Sequence, residues 1–493
     1  MDASSSQQSS PNEIELKLEI EPGDAQALAI PGDARSQDQL TIYYDTPDSV
    51  LHNHGSTLRV RRIGDRFIQT IKPVSTSACL VSRAEIEHPV ASIEPDPTLF
   101  AGTLLESLAL GDLKPVIRST VKRTSWIIEV GGSRIQADLD VGKMSAGGRS
   151  HGFRELELEL LSGDPSCLLH AAKEIAGRVP VRIGVLTKAE RGERLASRAI
   201  KKVFKAAPVH VDRSMTLAEA FEVMVHACLK HYRLNEPLVI EKRKAEALHQ
   251  TRVAMRRLRS AFTLFRSAIA DVEYQFLREE LRWFTSELGD ARNLDVFLQR
   301  NLSDGERERL TDRREQAYAR VIEVMNSTRA RALMLELIGW TAFGPWRHGK
   351  HARKPVENYA SSRLDRLWRS IVRVGHHIAD LDEETRHELR IKVKKLRYAI
   401  EFLRDLYPHS EPAEKRFALA VEELQESLGK LNDLAVAKTL VTASQNDNSW
   451  LIGAPEGMAH LREAERAFRD LEAVGPFWRA PNRMARGLVA PAA

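Results

Sequence analysis

Three cysteines in 493 residues, Cys79, Cys167 and Cys228, are too few and too widely spaced for a disulfide framework or a cysteine metal site, and a reducing, cytoplasmic setting is expected. No run of 18 apolar residues occurs, although 43% of the chain is hydrophobic, so no transmembrane helix and no membrane partner is expected. The opening segment MDASSSQQSSPN lacks a basic region and an apolar core, so residues 1–11 read as a disordered leader rather than a secretory signal. Aromatic residues make up 6% of the chain and offer no evident stack for a base. The length exceeds what one hydrophobic core holds, so two or more domains are expected.

What is abundant is charge, and it is unevenly placed. Residues 1–205 hold 26 Lys+Arg against 27 Asp+Glu, whereas residues 206–493 hold 47 against 41 and carry 11 of the 16 histidines. Short alternating segments fill the first part, at 13–20, 40–44, 57–62, 66–72, 83–89, 125–130, 133–140 and 154–161. Strands at this spacing point to a sheet closed on itself as a barrel, with short helices near 97–109 and 165–177. Periodicity is lost at 206–214, where the linker is placed. Long helical periodicity follows, over 215–233, 241–270, 272–303, 305–338, 356–379, 382–406, 411–443 and 456–473. The expected class is α+β multidomain: an N-terminal eight-stranded antiparallel β-barrel at 12–205, an all-α domain of two four-helix repeats at 215–475, and a tail at 476–493.

Alternation sorts the charges of the first part onto faces. Glu13, Glu15 and Lys17 share one face of a strand whose other face is Ile14, Leu16 and Leu18. Arg59 and Arg61 align, as do Thr70 and Lys72, then Arg83, Glu85 and Glu87, then Asp138 and Asp140, then Glu155, Glu157 and Glu159. Burying such faces is expensive unless the groups meet a ligand. Guanidinium and ammonium groups hold phosphate oxygens. Carboxylates hold Mg²⁺ or Mn²⁺. A charged lumen taking a polyanion with a metal is the expectation.

The ordered set ExExK, YYDTPD, TLRVRR, QTIK, ELELEL and LTKAERG resembles the CYTH superfamily, the triphosphate tunnel metalloenzymes, over residues 12 to about 200. That resemblance implies an eight-stranded tunnel binding triphosphate with a divalent metal. It implies that Glu13, Glu15, Glu157 and Glu159 are metal-binding acids, with Asp140 and Glu85 further tunnel acids, joined by Glu87, Asp138 and Glu155. It implies that Lys17, Arg59, Arg61, Lys72, Arg123 and Lys188 are the phosphate-binding bases, with Arg118 competing with Arg123 for one position. The TKAERG close, with Lys188 and Arg191, is most similar to the bacterial inorganic triphosphatase branch. Thiamine triphosphatase and class IV-type adenylate cyclase are the alternatives, and a non-catalytic polyphosphate-binding scaffold is the alternative of another class.

The helical part repeats itself. HQTRVAMRRLRSAFTLF at 249–265 matches HELRIKVKKLRYAIEFL at 387–403, and LGDARNLDVF at 288–297 matches LGKLNDLAVA at 428–437, at offsets of 138 and 140 residues. Two copies related by a pseudo-twofold are expected. His249, Arg252, Arg256 and Arg259 fall within a stripe of about 80° on a helix of about 100° per residue. His387, Arg390, Lys394 and Arg397 repeat it, and Arg257 pairs with Lys395. Such duplicated basic stripes fit one long positive groove. They lack interleaved aromatics and any helix-turn-helix, zinc or RNP signature, so inorganic polyphosphate is favoured over nucleic acid. The repeat resembles the CHAD domain, the conserved-histidine α-helical domain, which implies polyphosphate binding through these basic residues and association with polyphosphate granules. The first copy carries Asn293 where the second has Asp433.

Overall fold

The computed structural model describes residues 13–21, 23–73, 80–83, 86–108, 111–299, 302–442 and 453–479. The leader, Cys79, Glu85 and residues 480–493 lie outside the described residues. The first part runs β1 (Glu13–Ile20), β2 (Arg35–Asp45), α1 (Val50–Asn53), β3 (Ser56–Ile63), β4 (Arg66–Pro73), β5 (Leu80–Arg83), β6 (Ile86–Val90), β7 (Lys114–Val130), β8 (Ser133–Ala146), β9 (Arg149–Ser162), α2 (Cys167–Ala176), β10 (Val181–Ile183) and α3 (Lys188–Ala196).

Among the described residues ten strands form one antiparallel sheet in the order β10-β1-β9-β8-β7-β2-β3-β4-β6, with β5 paired to β1 off that path. Eight were expected. The segment read as one strand at 83–89 overlaps two, β5, which pairs with β1, and β6, which pairs with β4, and β10, which pairs with β1, was not expected. The strands expected at 125–130 and 133–140 are parts of much longer ones. Gly131–Gly132 and Gly147–Gly148 make the turns of the β7-β8-β9 meander, and all four have positive φ, at 57, 75, 55 and 72°. Two central residues with positive φ match the right-handed twist of the flanking strands. The helix expected near 97–109 is only a 3-10 turn at Pro97–Phe100, capped by Asp96. Gly102, at φ 73°, leaves the helical region just beyond it.

One face of the sheet is apolar: Leu16, Leu18, Ile135, Ala137, Leu139, Leu156 and Leu158 are buried there. The helix α2 contacts β1, β7 and β9. The other face changes character along the strands. At one end Tyr43, Ile117, Val121, Met144, Ala146 and Phe153 pack with Ala189 and Leu195 of α3. A Cβ on Gly192 would meet the Ile117 side chain at 2.5 Å, so α3 lies close against this face. Beyond that apolar end the same face carries the charges.

The helices continue as α4 (Leu217–Lys242), α5 (Ala245–Ile269), α6 (Val272–Glu287), α7 (Gly289–Phe297), α8 (Asp304–Asn326), α9 (Thr328–Phe343), α10 (Val356–Gly375), α11 (Glu383–Leu403), α12 (Glu411–Thr442) and α13 (Gly453–Val474). Two repeats of four were expected, but among the described residues the first half has six helices and the second four. Ser327 explains one extra break: its side chain caps the Ala330 amide and starts α9 inside the expected 305–338 helix. The other break falls at Leu288, between α6 and α7. Conversely, α4 runs past the expected end at 233 and through Pro237. The Asn235 amide holds that turn, donating to the Phe204 carbonyl outside the helix at 2.9 Å and to the His231 carbonyl within it at 2.8 Å.

Contacts group the chain into two compact units, residues 1–207, 225–258 and 270–345, and residues 208–224, 259–269 and 346–493. In the first, α9 packs on α2, α6, α8 and β10. In the second, α10 to α13 pack in succession, and Trp368, Phe417, Phe477 and Trp478 form an edge-to-face aromatic cluster.

Candidate active site

The sheet register alone assembles the charged face. Glu19, Glu155, Asp140 and Arg123 stand in one cross-strand row of β1, β9, β8 and β7. Lys17, Glu157, Asp138 and Ser125 form the next row, and Glu15, Glu159 and Gln136 the one after. On the other side, β3 and β4 contribute Arg59, Arg61 and Lys72. Glu15, Lys17, Arg59, Arg61, Lys72, Arg123, Glu157, Glu159 and Lys188 line one cavity of about 290 Å³. Tyr43, His52, Glu87, Asp138, Glu190 and Glu193 share its wall.

The acidic floor is already bound by cations. Arg123 clamps three carboxylates: Nε donates to Asp140 Oδ1 at 2.7 Å, Nη1 to Asp138 Oδ2 at 2.7 Å, and Nη2 to Asp140 Oδ2 and Glu157 Oε2, both at 2.6 Å. Lys188, the first residue of α3, donates to Glu157 Oε1 at 2.7 Å and pairs with Asp140 at 2.9 Å and Glu155 at 3.2 Å. Lys17 sits 3.2 Å from Glu15 and 3.3 Å from Glu157. Burial pushes the Glu157 carboxyl up, but Lys188, Lys17 and Arg123 outweigh it and hold it well below the carboxylate range. Asp140 is held low in the same way, against burial, by Lys188 and Arg123. Burial opposes the charge on Lys17 and on Lys188, yet the facing acids raise both ammonium groups.

The opposite wall is cation-rich. Burial, then the guanidiniums of Arg59 and Arg123, push Arg61 down to about 10, the signature of crowded positive charge. Arg59 reaches Glu87 only at 3.6 Å, and the Thr70 hydroxyl donates to Glu87 at 2.9 Å. Such a wall is stabilised by an anion placed against it.

The side chain of Glu13 and the whole of Glu85 lie outside the described residues. Asp140 and Glu155, 1% and 0% exposed, sit behind the cavity lining. Arg118 is exposed, on the face of β7 opposite Arg123, so Arg123 is the cavity residue. Glu19 and Arg191 were not assigned roles from sequence. Glu19 continues the alternation of Glu13, Glu15 and Lys17, which was the available signal.

For a metal, the donors are oxygen and hard, as Mg²⁺ and Mn²⁺ require. Glu15 and Glu159 stand directly opposite each other in register on β1 and β9, both on the cavity wall. Like charges so placed repel, and Lys17, 3.2 Å from Glu15, offsets part of that repulsion. Among the described residues no group of three or more His, Cys, Asp or Glu is ready-made for a metal. Mg²⁺ typically uses one or two carboxylates together with substrate phosphates, and the residues present fit that mode.

In the helical part, α5 presents His249, Arg252 and Arg256, all partly exposed. Arg257 is 1% exposed and lies in the core, off the stripe. Arg292 of α7 joins the patch: burial, then Arg292, hold the His249 imidazole low. Burial, then Arg256 and Arg292, push Arg252 down to about 10. Arg259 is partly exposed and belongs to the second compact unit. On α11, His387 is exposed and its Nδ1 lies 2.6 Å from Asn432 Oδ1. Arg390, Lys394 and Lys395 are partly exposed. Arg397 Nε donates to Gln425 at 2.8 Å, with its guanidinium 4.6 Å from the Tyr398 ring centre. Arg292 and Asn432 occupy matching places in the LG segments. The Asp433 side chain lies outside the described residues. Among the described residues no helix is long and apolar enough to cross a membrane.

Comparison with known proteins gives a CYTH domain at residues 11–192 and a CHAD domain at residues 223–442. An inorganic triphosphatase of Haemophilus influenzae is 30% identical over 159 residues, 32% of this chain; the match spans 45% of that relative, less than half its length. Among solved structures, the CHAD domain from the plant Ricinus communis is 29% identical, at TM-score 0.45, covering 56% of this chain and 96% of that one. A Hippeastrum adenylyl cyclase described as having a dominant triphosphatase activity is 17% identical, at TM-score 0.30, covering 38% of this chain and 96% of that one.

Proposed function

We propose that the charged cavity of the sheet hydrolyses inorganic triphosphate with the help of Mg²⁺ or Mn²⁺, and that the helical domain binds inorganic polyphosphate; the CYTH match at residues 11–192 and the CHAD match at residues 223–442 support this reading. The observation that carries the first part is the facing of two unlike walls: Arg59, Arg61 and Lys72 on one side, Glu15, Glu157 and Glu159 on the other. The relative from Haemophilus influenzae, an inorganic triphosphatase, supports the same substrate. Closure of the sheet into a tunnel, domain limits at 12–205 and 215–475, and a cytoplasmic setting belong to this reading.

In this reading Arg59, Arg61 and Lys72 bind the terminal phosphoryl oxygens and fix the chain of phosphates along the cavity. Lys17, Arg123 and Lys188 keep the floor carboxylates ionised and oriented. Glu15 and Glu159, with Glu157 beside them, would hold the metal. When bound, it supplies neutralisation of phosphate charge and helps place a water for in-line attack. Tyr43 is the one phenol or indole ring among the described lining residues, so recognition rests on charge rather than on a base.

Phosphate release from tripolyphosphate, ATP, thiamine triphosphate and long-chain polyphosphate, with Mg²⁺ and with Mn²⁺, tests the activity. Tripolyphosphate should give the highest kcat/KM. A preference for an organic triphosphate, or cyclic AMP formed from ATP, overturns the substrate assignment. In the helical domain the like-charged group of Arg252, Arg256 and Arg292 supports a polyanion ligand.

A further inference from the structure

The floor of the cavity does not end at the sheet. Glu155, behind the lining, pairs with Lys188 at 3.2 Å and with Arg191 at 3.5 Å. Arg191 Nη2 pairs in turn with Glu19 Oε1 at 3.1 Å. The other oxygen of Glu19 is held by Arg233 Nη2, at 2.6 Å, and Arg233 is on α4, the first helix of the helical half. Arg233 is itself fixed: Nε donates to the Ile183 carbonyl at 2.9 Å, and Nη1 pairs with Glu236, which also holds Arg182 of β10 and the Tyr232 hydroxyl. A second link runs from Lys230 of α4 to Glu190, whose other oxygen closes the capping box that starts α3 at Lys188. All of these residues lie within one compact unit.

We propose that Arg233 is a positioning residue for the cavity. Through Glu19, Arg191 and Glu155 it sets the orientation of the Lys188 ammonium, so the first helix of the helical half is a working part of the site in the sheet. This inference rests on the proposed triphosphatase function. Glu19 is 27% exposed at its side chain and Arg233 5%, so the link is screened less than a surface pair. Burial raises the Glu19 carboxyl, but Arg191 and Arg233 outweigh it and hold the group ionised. With Arg233 neutralised, Arg191 carries the counter-charge for Glu19. It is drawn toward Glu19, Glu155 leans on Lys188, and Lys188 loses its fixed direction. Misdirection of a charged group penalises the transition state more than the ground-state complex.

The test uses the full chain and tripolyphosphate with Mg²⁺. Arg233→Met is expected to lower kcat about tenfold with KM changed less than about twofold, while Arg233→Lys, which keeps the charge, restores most of kcat. Glu19→Gln should give a loss of similar size, and the double variant should lose little more than either single one, because both cut the same chain. Lys173→Met, which removes the Lys173–Glu336 pair between α2 and α9, should leave kcat and KM as in the wild type. Additive losses, an unchanged kcat in Arg233→Met, or no rescue by lysine overturn the positioning role. If Arg233→Met fails to fold, Arg233→Lys against Glu19→Gln still decides: wild-type kcat in Glu19→Gln overturns it. A wild-type protein that neither hydrolyses tripolyphosphate nor binds it by calorimetry overturns the functional reading itself, and this inference with it.

Discussion

Lys188 Nζ lies 2.7 Å from Glu157 Oε1, and the same carboxylate is held by Arg123 through its other oxygen at 2.6 Å. Glu157 is thus the point where the base at the start of α3, the clamp on β7 and Lys17 on β1 converge. In the proposed function, an acid in that position serves both the chemistry and the fold.

Glu157→Gln should therefore do two things. Loss of a metal-facing charge should remove several kcal/mol of transition-state stabilisation, on the order of a hundredfold or more in phosphate release. Three cations also lose a shared partner, so the folded state should be destabilised by about 3 kcal/mol. Phosphate release at saturating tripolyphosphate and urea unfolding check the two effects separately. Wild-type turnover at limiting metal removes this strand from the metal site.

Arg61→Gln should move stability and binding in opposite directions. Burial, then the guanidiniums of Arg59 and Arg123, hold Arg61 down to about 10, so neutralising it relieves both desolvation and repulsion in the ligand-free protein. The melting temperature should rise, by an amount equivalent to about 0.5–1 kcal/mol, while tripolyphosphate affinity falls about tenfold or more. A variant that loses both, or neither, contradicts the cationic wall.

Acid should weaken the sheet through Asp140 and Glu157. Both carboxyls are held below their ordinary values of 3.8 and 4.5. A depressed folded pKa gives stability that is complete above the unfolded value and is lost as pH falls through the folded one. The contribution of these two groups should be flat from pH 7 to about 5 and decline below about 4.5. In urea titrations from pH 7 to 3, Asp140→Asn should be less stable than wild type at pH 7 and show a shallower acid decline. Equal slopes contradict the assignment.

Much of the site was legible because strand alternation is a strict period. Glu15, Lys17, Arg59, Arg61, Lys72, Glu157 and Glu159 were placed on the right faces by counting in twos. Arg118 against Arg123 stayed open because the strand was read only from 125; once β7 runs unbroken from Lys114, parity puts Arg118 outside. Glu19 continues the β1 alternation, but its role depends on Arg233, 214 positions away, and no local pattern reports such a pair. Arg257 follows Arg256 by one residue, about 100° around the helix, which turns it from the stripe into the core. The ten strands differ from the expected eight because the segment read at 83–89 overlaps two strands, β5 and β6, and because β10, Val181–Ile183, is too short to show a period.

Long-chain polyphosphate should bind the helical part with a steep salt dependence, since each contacting base releases counterions. With the cavity saturated by tripolyphosphate, replacing Arg252, Arg256 and Arg390 by Ala should weaken binding to the full chain far more than replacing Arg307, Arg313 and Arg320. Arg292→Ala should act like a member of the first set. Equal effects of the two sets, or displacement by DNA at equal charge concentration, contradict a specific polyphosphate surface.

The most direct measurement is phosphate release from tripolyphosphate by the wild-type chain, with Mg²⁺ or Mn²⁺ and again after chelation, beside Glu157→Gln. The expected result is rapid, metal-dependent release by the wild type, with ATP and thiamine triphosphate poorer substrates, and near-complete loss in the variant. No release above background with either metal, or release that Glu157→Gln leaves unchanged, would contradict a triphosphatase site in the sheet.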